Sequence, residues 1–346
     1  MMELGEIKKR EFKPGGDPGP ESFCTIVDSS SLWEGIFSIY TIRRFHEQPI
    51  YVICDKIAEE HINLAGLENV HTRATIDPES NSEITDGLFN GGFQDQTGNQ
   101  IRHGCHLWHP ISLMYRKPEA MDFALETNTS TLFSDCDVYY TEPIRVFLDA
   151  DLGLYPFHSN CGYSDKRRME MDRKYGYATG AYVYTSRKDF PDWWRRGMIE
   201  DSNFYDEECL SRADDSFSVK FFPASQLITP YQFDFVWSRL SDYGDIIDRP
   251  PAENMKDLDW TFMDGLITHQ GRATSFHFHI DPGSVLDRGQ NVDPRARMLG
   301  RIFLTALAES SRKEHKDIIE FFRTKIRRHI TPLPDKWFVG KEEAYG

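Results

Sequence analysis

Between Phe23 and Cys54 the chain reads as strand, helix, strand, and no other feature constrains its fold as much. Phe23–Val27 (FCTIV) is a compact run of apolar and β-branched residues. Asp28-Ser29-Ser30-Ser31 follows as a turn, and Leu32–Phe45 carries Trp33, Ile36, Phe37, Tyr40 and Phe45 on one broad helical face. Ile50–Cys54 (IYVIC) is then a second strand, ending at Asp55. A βαβ opening of this kind predicts an α/β fold, with parallel strands and helices laid over the sheet. Neither GxGxxG nor GxxxxGK[ST] stands in the turn, which weakens a dehydrogenase or P-loop reading.

The second constraint is Thr131–Ile144, TLFSDCDVYYTEPI. Thr131–Ser134 suits a short buried strand, and Asp135 and Asp137 follow where it ends. The carboxyl ends of strands in an α/β sheet open onto the ligand crevice, so acids placed there can hold a divalent cation through hard oxygen ligands. A cation so held can clamp a diphosphate. Asp-x-Asp alone is common in loops and helix caps, and context is what raises it here. An apolar strand precedes it, Tyr139 and Tyr140 follow, and Thr141-Glu142-Pro143 offers a helix start. A rival motif, FLDAD at Phe147–Asp151, falls at the end of that expected helix, which runs through Val146 and Phe147, and before a strand at Leu152–Phe157; it is the second choice.

With these residues in place, Phe23 to Asp281 resembles the GT-A glycosyltransferases, nucleotide-diphospho-sugar enzymes whose DxD motif follows such a strand. The resemblance implies an α/β fold of the GT-A type: a Rossmann-like mixed central sheet flanked by helices, with a C-terminal helical extension. It implies a donor half at about 22–145, an acceptor half at about 146–285, and helices over 286–346 behind a tail at 1–21. It also implies a Mn²⁺ or Mg²⁺ cofactor, a nucleotide-sugar donor with UDP favoured, and a carbohydrate or other hydroxyl acceptor. Carried over by position, Asp28, Ser29 and Asp55 become candidates for donor ribose and base, with turn capping as their structural alternative. Asp135 and Asp137 become metal ligands.

The later segments follow in order. Residues 77–110 are rich in Asn, Gly, Asp, Gln and His, the composition of a functional lid or an insertion. His103, His106 and His109 lie at its end, where a surface or acceptor-site role outweighs a metal site. Ile111–Glu126 reads as a helix, with Arg116 and Lys117 just before Pro118, where a cation can meet a phosphate. The charged run between Tyr163 and Tyr175 reads as a loop over the cleft. Ala181–Thr185 is a strand, and Gly180 before it permits close backbone approach. GT-A enzymes similar to this chain have Asn-x-Gly here, whereas this chain has Ala178-Thr179-Gly180.

Phe190, Trp193 and Trp194 begin a helical region leading to Asp206-Glu207-Glu208-Cys209-Leu210. The family often has Asp-Gln-x-x-Leu here; Asp206 and Leu210 match, and Glu207 replaces Gln. The resemblance therefore offers Asp206 and Glu207 as catalytic carboxylates, serving as a base or stabilising an oxocarbenium-like transition state. The pattern does not decide whether the anomeric configuration is retained or inverted. Val219–Pro223 reads as a strand, Tyr231, Phe233, Phe235 and Trp237 as core or sugar-stacking aromatics, and Trp260–His269 as a helix. In Thr274–Asp281, alternation sets Phe276, Phe278 and Ile280 on one face and His277, His279 and Asp281 on the other. The family frequently takes a late histidine as third metal ligand, so His279, slightly ahead of His277, is expected to complete the site.

Charge and cysteines bound the rest. A formal net charge of −15 over 346 residues argues against a nucleic-acid binder, while a bound cation would still reverse the local sign for a phosphorylated donor. Six cysteines at 24, 54, 105, 136, 161 and 209 form no CxxC pair and read as free thiols. The N-terminal stretch lacks an apolar signal core, and no apolar run is long enough to span a bilayer, so a cytoplasmic location is expected. From Arg295 to Arg328, ten Lys or Arg stand against four Asp or Glu, and Ser310–Asp317 interrupts the apolar face. That favours two docked helices over an anchor lying on a membrane. Nothing in the chain specifies an oligomeric state. Two competing readings are a metal-dependent hydrolase using His277, His279 and Asp281 with one DxD, and a non-catalytic sugar-binding protein on the same fold.

Overall fold

A computed structural model describes residues 19–76, 115–147, 149–156, 178–200, 206–210, 212–229, 261–262, 266–268, 271–280 and 294–330. The N-terminal tail through residue 18, the 77–110 segment with its three histidines, the charged run at 163–175, the aromatics at 231–237 and Asp281 lie outside the described residues.

The opening unit forms where the apolar runs place it: β1 (Phe23–Val27), α1 (Leu32–Arg43) and β2 (Ile50–Cys54), followed by α2 (Lys56–Leu64) and β3 (Val70–Ala74). Helix α1 stops short of Phe45 because its end tightens, the Phe45 N–H donating to the Ile42 carbonyl at 3.0 Å. After α3 (Arg116–Leu125) come β4 (Thr131–Ser134), β5 (Val138–Tyr140), β6 (Leu152–Pro156) and β7 (Ala178–Thr185). Then follow α4 (Phe190–Glu200), α5 (Asp206–Leu210) and β8 (Val219–Phe221). Seven strands make one mixed sheet in the order β3-β2-β1-β4-β7-β6-β8. The strands β3, β2, β1 and β4 run parallel, and β7 is antiparallel to both β4 and β6.

The pleat divides each strand between two apolar layers. Phe23, Val27, Val52 and Leu132 face α1, whereas Cys24, Ile26, Ile53 and Phe133 face the layer built with α3 and α4. Burial on both faces is why these strands are continuous apolar runs rather than alternating ones.

Two segments differ from expectation. Residues 143–147 are not helical; Val138–Tyr140 is instead a strand, and the Thr141 and Glu142 N–H groups donate to the Thr274 carbonyl at 2.9 and 3.2 Å. Backbone pairing with a distant strand outweighs the local cue of Pro143. Likewise the described residues of the expected Trp260–His269 helix are strands: β10 (Thr261–Phe262) pairs antiparallel with β11 (Leu266–Thr268), which pairs with β12 (Gly271–Arg272). The β-branched Thr261, Ile267 and Thr268 suit the pleat better than a helix.

A small second sheet crosses the carboxyl edge of the large one. In it β13 (Ser275–His277) lies between β5, antiparallel, and β9 (Leu227–Ile228), parallel. The free edge of β5 is closed by α1, where the Ser38 hydroxyl donates to the Val138 carbonyl at 2.6 Å and Thr41 Oγ1 accepts from the Tyr140 N–H at 3.0 Å. The C-terminal segment forms α6 (Pro294–Glu309) and α7 (Lys313–Phe321), interrupted at 310–312. Both dock on the core. The Phe303 ring lies 5.3 Å from Phe276 and 5.7 Å from Tyr139, and Phe321 stacks on Tyr40 at 3.7 Å. No described helix is long and apolar enough to cross a membrane.

His46 ties this core to β1. It is buried, its ring sits 4.8 Å from Phe23, and its Nε2 accepts from the Ile144 N–H at 2.9 Å, which requires the neutral imidazole. Burial, with Arg43 nearby, pushes its pKa down to about 4 although Gln48 opposes the shift. A depressed histidine pKa leaves more protons on the unfolded chain between that value and the ordinary range near 6.5. Stability is therefore expected to be full above pH 6.5 and to fall by about 3 kcal/mol as the pH drops to 4. Urea denaturation of wild type and His46→Gln across this range tests it; the variant should show a shallower acid limb.

Candidate metal and donor site

The carboxyl edge of β1, β2 and β4 gathers most of the candidate residues. Asp28, Asp55 and Asp135 each directly follow one of these parallel strands. Asp55 is buried and caps α2, accepting from the Ala58 N–H at 2.8 Å, and its other oxygen accepts from the Ser29 N–H at 2.6 Å. Asp28 Oδ1 accepts from the Ser31 N–H at 2.9 Å and from the Ser30 hydroxyl at 2.8 Å. Asp28, Ser29 and Asp55 thus hold the two turns together at the sheet's edge. The FLDAD motif lies at the other end: Leu152 pairs with Thr185, which also faces Thr131, the first residue of β4. Asp149 there pairs with Lys220, and Asp151 Oδ2 accepts from the Ser218 N–H at 2.9 Å.

Asp135 and Asp137 form a tight turn out of β4. The Asp135 N–H donates to the Ala181 carbonyl of β7 at 3.0 Å, and the Val138 N–H returns to the Asp135 carbonyl at 3.1 Å. The Phe278 N–H donates to the Asp137 carbonyl at 3.1 Å, binding the turn to the chain just after β13. As alternation predicts, Phe276, Phe278 and Ile280 are buried, while His277 and His279 face the turn. His277 Nε2 lies 3.3 Å from Asp137 Oδ1, and His279 Nδ1 lies 3.5 Å from Asp137 Oδ2. Asp135, Asp137 and His277 each offer a donor atom within 4.8 Å of the others, the only such trio among the described residues. His279, slightly favoured from sequence, stands beside this trio and contacts Glu34 Oε2 at 3.2 Å.

Two carboxylates and an imidazole are a donor set able to hold a divalent cation. The electrostatics agree. Burial pushes the Asp135 carboxyl up, with Asp137 adding to this and Lys117 opposing it. Burial pulls the His277 imidazole down, but Asp137 and Asp135 outweigh it, so the ring holds a proton above its ordinary range. In both cases a cation between the acids would replace protons as the balancing charge.

Lys117, at the start of α3, is buried rather than solvated. Its Nζ donates to Asp206 Oδ2 at 2.7 Å and to the Gly180 carbonyl at 3.2 Å, and lies 3.0 Å from Asp135 Oδ1. Three acceptors match the three ammonium hydrogens, so a phosphate contact would require one of them to be given up. Burial opposes the charge, yet Asp135 and Asp206 outweigh it and hold the ammonium protonated. Asp206 is anchored in turn by the buried Trp194, whose Nε1–H donates to its carbonyl at 2.8 Å. Glu207 lies beside it and accepts from the Thr179 hydroxyl at 3.1 Å. Gly180 falls inside β7 rather than before it, and the group it admits is a carboxylate: a Cβ there would sit 2.0 Å from Asp206 Oδ2.

Sequence reasoning missed the Lys117 pairing and Glu34. Glu34 is a buried acid on a helix whose other buried positions are mostly apolar, and that contrast was the available signal. The hydrolase ligand set cannot be assembled here, since Asp281 is outside the described residues.

No protein-family model matches the chain, and no curated protein does. Among solved structures the chain is similar to the galactosyltransferase LgtC in complex with donor and acceptor sugar analogs, at 12% identity, covering 86% of this chain and 99% of that one with a TM-score of 0.49. It is also similar to mouse xyloside xylosyltransferase 1, at 8% identity over 75% and 97% of the two chains with a TM-score of 0.44. A third is the glycosyltransferase GlyE of Streptococcus pneumoniae, at 12% identity over 90% and 64% with a TM-score of 0.43. Overlaps this loose specify no donor, metal or acceptor, and the functional reading rests on the site's own geometry.

Lys117→Met should leave Asp135 and Asp206 facing each other without their cation, a loss of about 3–5 kcal/mol for breaking a buried ion pair. Adding Asp206→Asn should restore part of it. Denaturant midpoints of the single and double variants check this, and wild-type stability in Lys117→Met would contradict it.

Proposed function

We propose that this chain is a metal-dependent glycosyltransferase of the GT-A type, moving a sugar from a nucleotide-diphosphate sugar to a hydroxyl acceptor on a glycan. The carrying observation is the convergence of Asp135, Asp137 and His277 at the carboxyl edge of a mixed sheet. These are the residues that would hold Mn²⁺ or Mg²⁺. A divalent ion bound there supplies Lewis-acid neutralisation of the charge that builds on the departing diphosphate.

The chain's own residues divide the remaining work. Asp28, Ser29 and Asp55 rigidify the two turns against which ribose and base would lie. Lys117 and Asp206 stiffen the floor between the metal turn and β7, with Asp135 held from both sides. Glu207, half-buried beside Thr179, is the carboxylate offered to the reacting sugar, as base or as support for positive charge at the anomeric carbon. Residues about 22–145 would then carry the donor and about 146–285 the acceptor. UDP is the favoured base, on resemblance to metal-using members of the family.

Asp137→Ala should abolish metal-dependent transfer while the protein stays folded. Thermal unfolding with UDP-, GDP- and CMP-sugars, with and without Mn²⁺, should show one nucleotide stabilising the wild type only with the ion, and nothing stabilising the variant. Unaltered turnover in Asp137→Ala would overturn the assignment.

A further inference from the structure

The two oxygens of Asp137 are each faced by an imidazole, His277 at Oδ1 and His279 at Oδ2. His277 belongs to the trio suited to a cation; His279 stands outside it and has another neighbour. Its Nδ1 lies 3.2 Å from Oε2 of Glu34, an acid only 2% exposed in the first turn of α1. Apart from Ser38 and Thr41, which hydrogen-bond β5, the helix otherwise buries Leu32, Gly35, Ile36, Phe37, Ile39 and Ile42, so apolar packing gives no reason for a carboxylate at this position. A buried carboxylate is costly unless partnered, and His279 is the partner the geometry supplies. The same Nδ1 lies 3.2 Å from Glu34 Oε2 and 3.5 Å from Asp137 Oδ2, so one ring nitrogen bridges the two carboxylates.

We propose that Glu34 is a positioning residue for the metal site. It holds the His279 ring, and the ring holds Asp137 Oδ2, so that the carboxylate turns Oδ1 toward His277 and Asp135. The backbone reinforces the same arrangement, because the Phe278 N–H, between the two histidines, fixes the Asp137 carbonyl. Helix α1 is itself tied to the metal turn through Ser38 and the Val138 carbonyl. Glu34 therefore reaches the site from a rigid element rather than a loop. This inference rests on the metal-site reading above, and outer-shell partners of this kind typically change metal affinity about tenfold to a hundredfold.

The test is calorimetric titration of the full chain with MnCl₂ alone, without any donor, on wild type, Glu34→Gln, His279→Phe, the double variant and Asp137→Ala, each confirmed folded by circular dichroism. Glu34→Gln and His279→Phe should each weaken Mn²⁺ binding about tenfold or more, and the double variant no more than the larger single loss, since both act through one contact. Wild-type affinity in Glu34→Gln, or losses that simply add, would overturn the positioning role. Should Glu34→Gln fail to fold, His279→Phe carries the test alone, and wild-type affinity there overturns it equally. If wild type binds no Mn²⁺, or Asp137→Ala binds it as well as wild type, the metal-site reading itself fails and takes this inference with it. Loss in Asp137→Ala with no loss in Glu34→Gln removes the inference only.

Discussion

The candidate site exists because β5 and β13 pair. Val138–Tyr140 and Ser275–His277 are far apart in the chain, and neither three-residue strand would persist alone. Their antiparallel register sets His277 against Val138 and carries the following residues past the Asp135–Asp137 turn, where the Phe278 N–H meets the Asp137 carbonyl. Aromatic packing beneath stabilises this pairing: Tyr139, Phe276 and Phe278 close around Phe303 of the C-terminal helix. The C-terminal helices thus underpin the site from below.

Charge supplies the second constraint. Asp135, Asp137, Asp206 and Glu34 are crowded around one buried lysine and two imidazoles. Burial, with Asp137 and Asp206 close by, pushes the Asp135 carboxyl up, and a fold that accepts the cost gains a place for positive charge. Lys117 reaches Asp206 and both oxygens of Asp135. Asp135 with Asp137 and His277 is where a divalent ion would fit. Structural and functional cations would then share one carboxylate, and Gly180 must stay without a side chain because a Cβ there would clash with the Asp206 carboxylate that Lys117 holds.

Much of the frame was legible in the residues because its signals are local. The strands at Phe23–Val27, Ile50–Cys54 and Thr131–Ser134 are apolar runs bounded by polar turns, and they form with those ends. The alternation through His277 and His279 was equally readable, since a pleat alone decides it. What escaped depends on partners distant in sequence. Val138–Tyr140 is a strand because β13 lies beside it, and Pro143 nearby pointed the wrong way. Leu266–Thr268 is a strand because Thr261–Phe262 pairs with it. Lys117 read as a cation placed to meet a phosphate because Asp206, which draws it inward, lies 89 residues away. Glu34, which contacts His279, is a buried acid on α1 that a reading of the helix's apolar face passes over.

The central claim is that Asp135, Asp137 and His277 form one cation site. Diffraction from a crystal soaked in MnCl₂, recorded at the manganese absorption edge, tests it most directly. The account predicts an anomalous peak bonded to a carboxylate oxygen of each aspartate and to the His277 ring; a well-occupied ion elsewhere, with these three side chains bare, would contradict it.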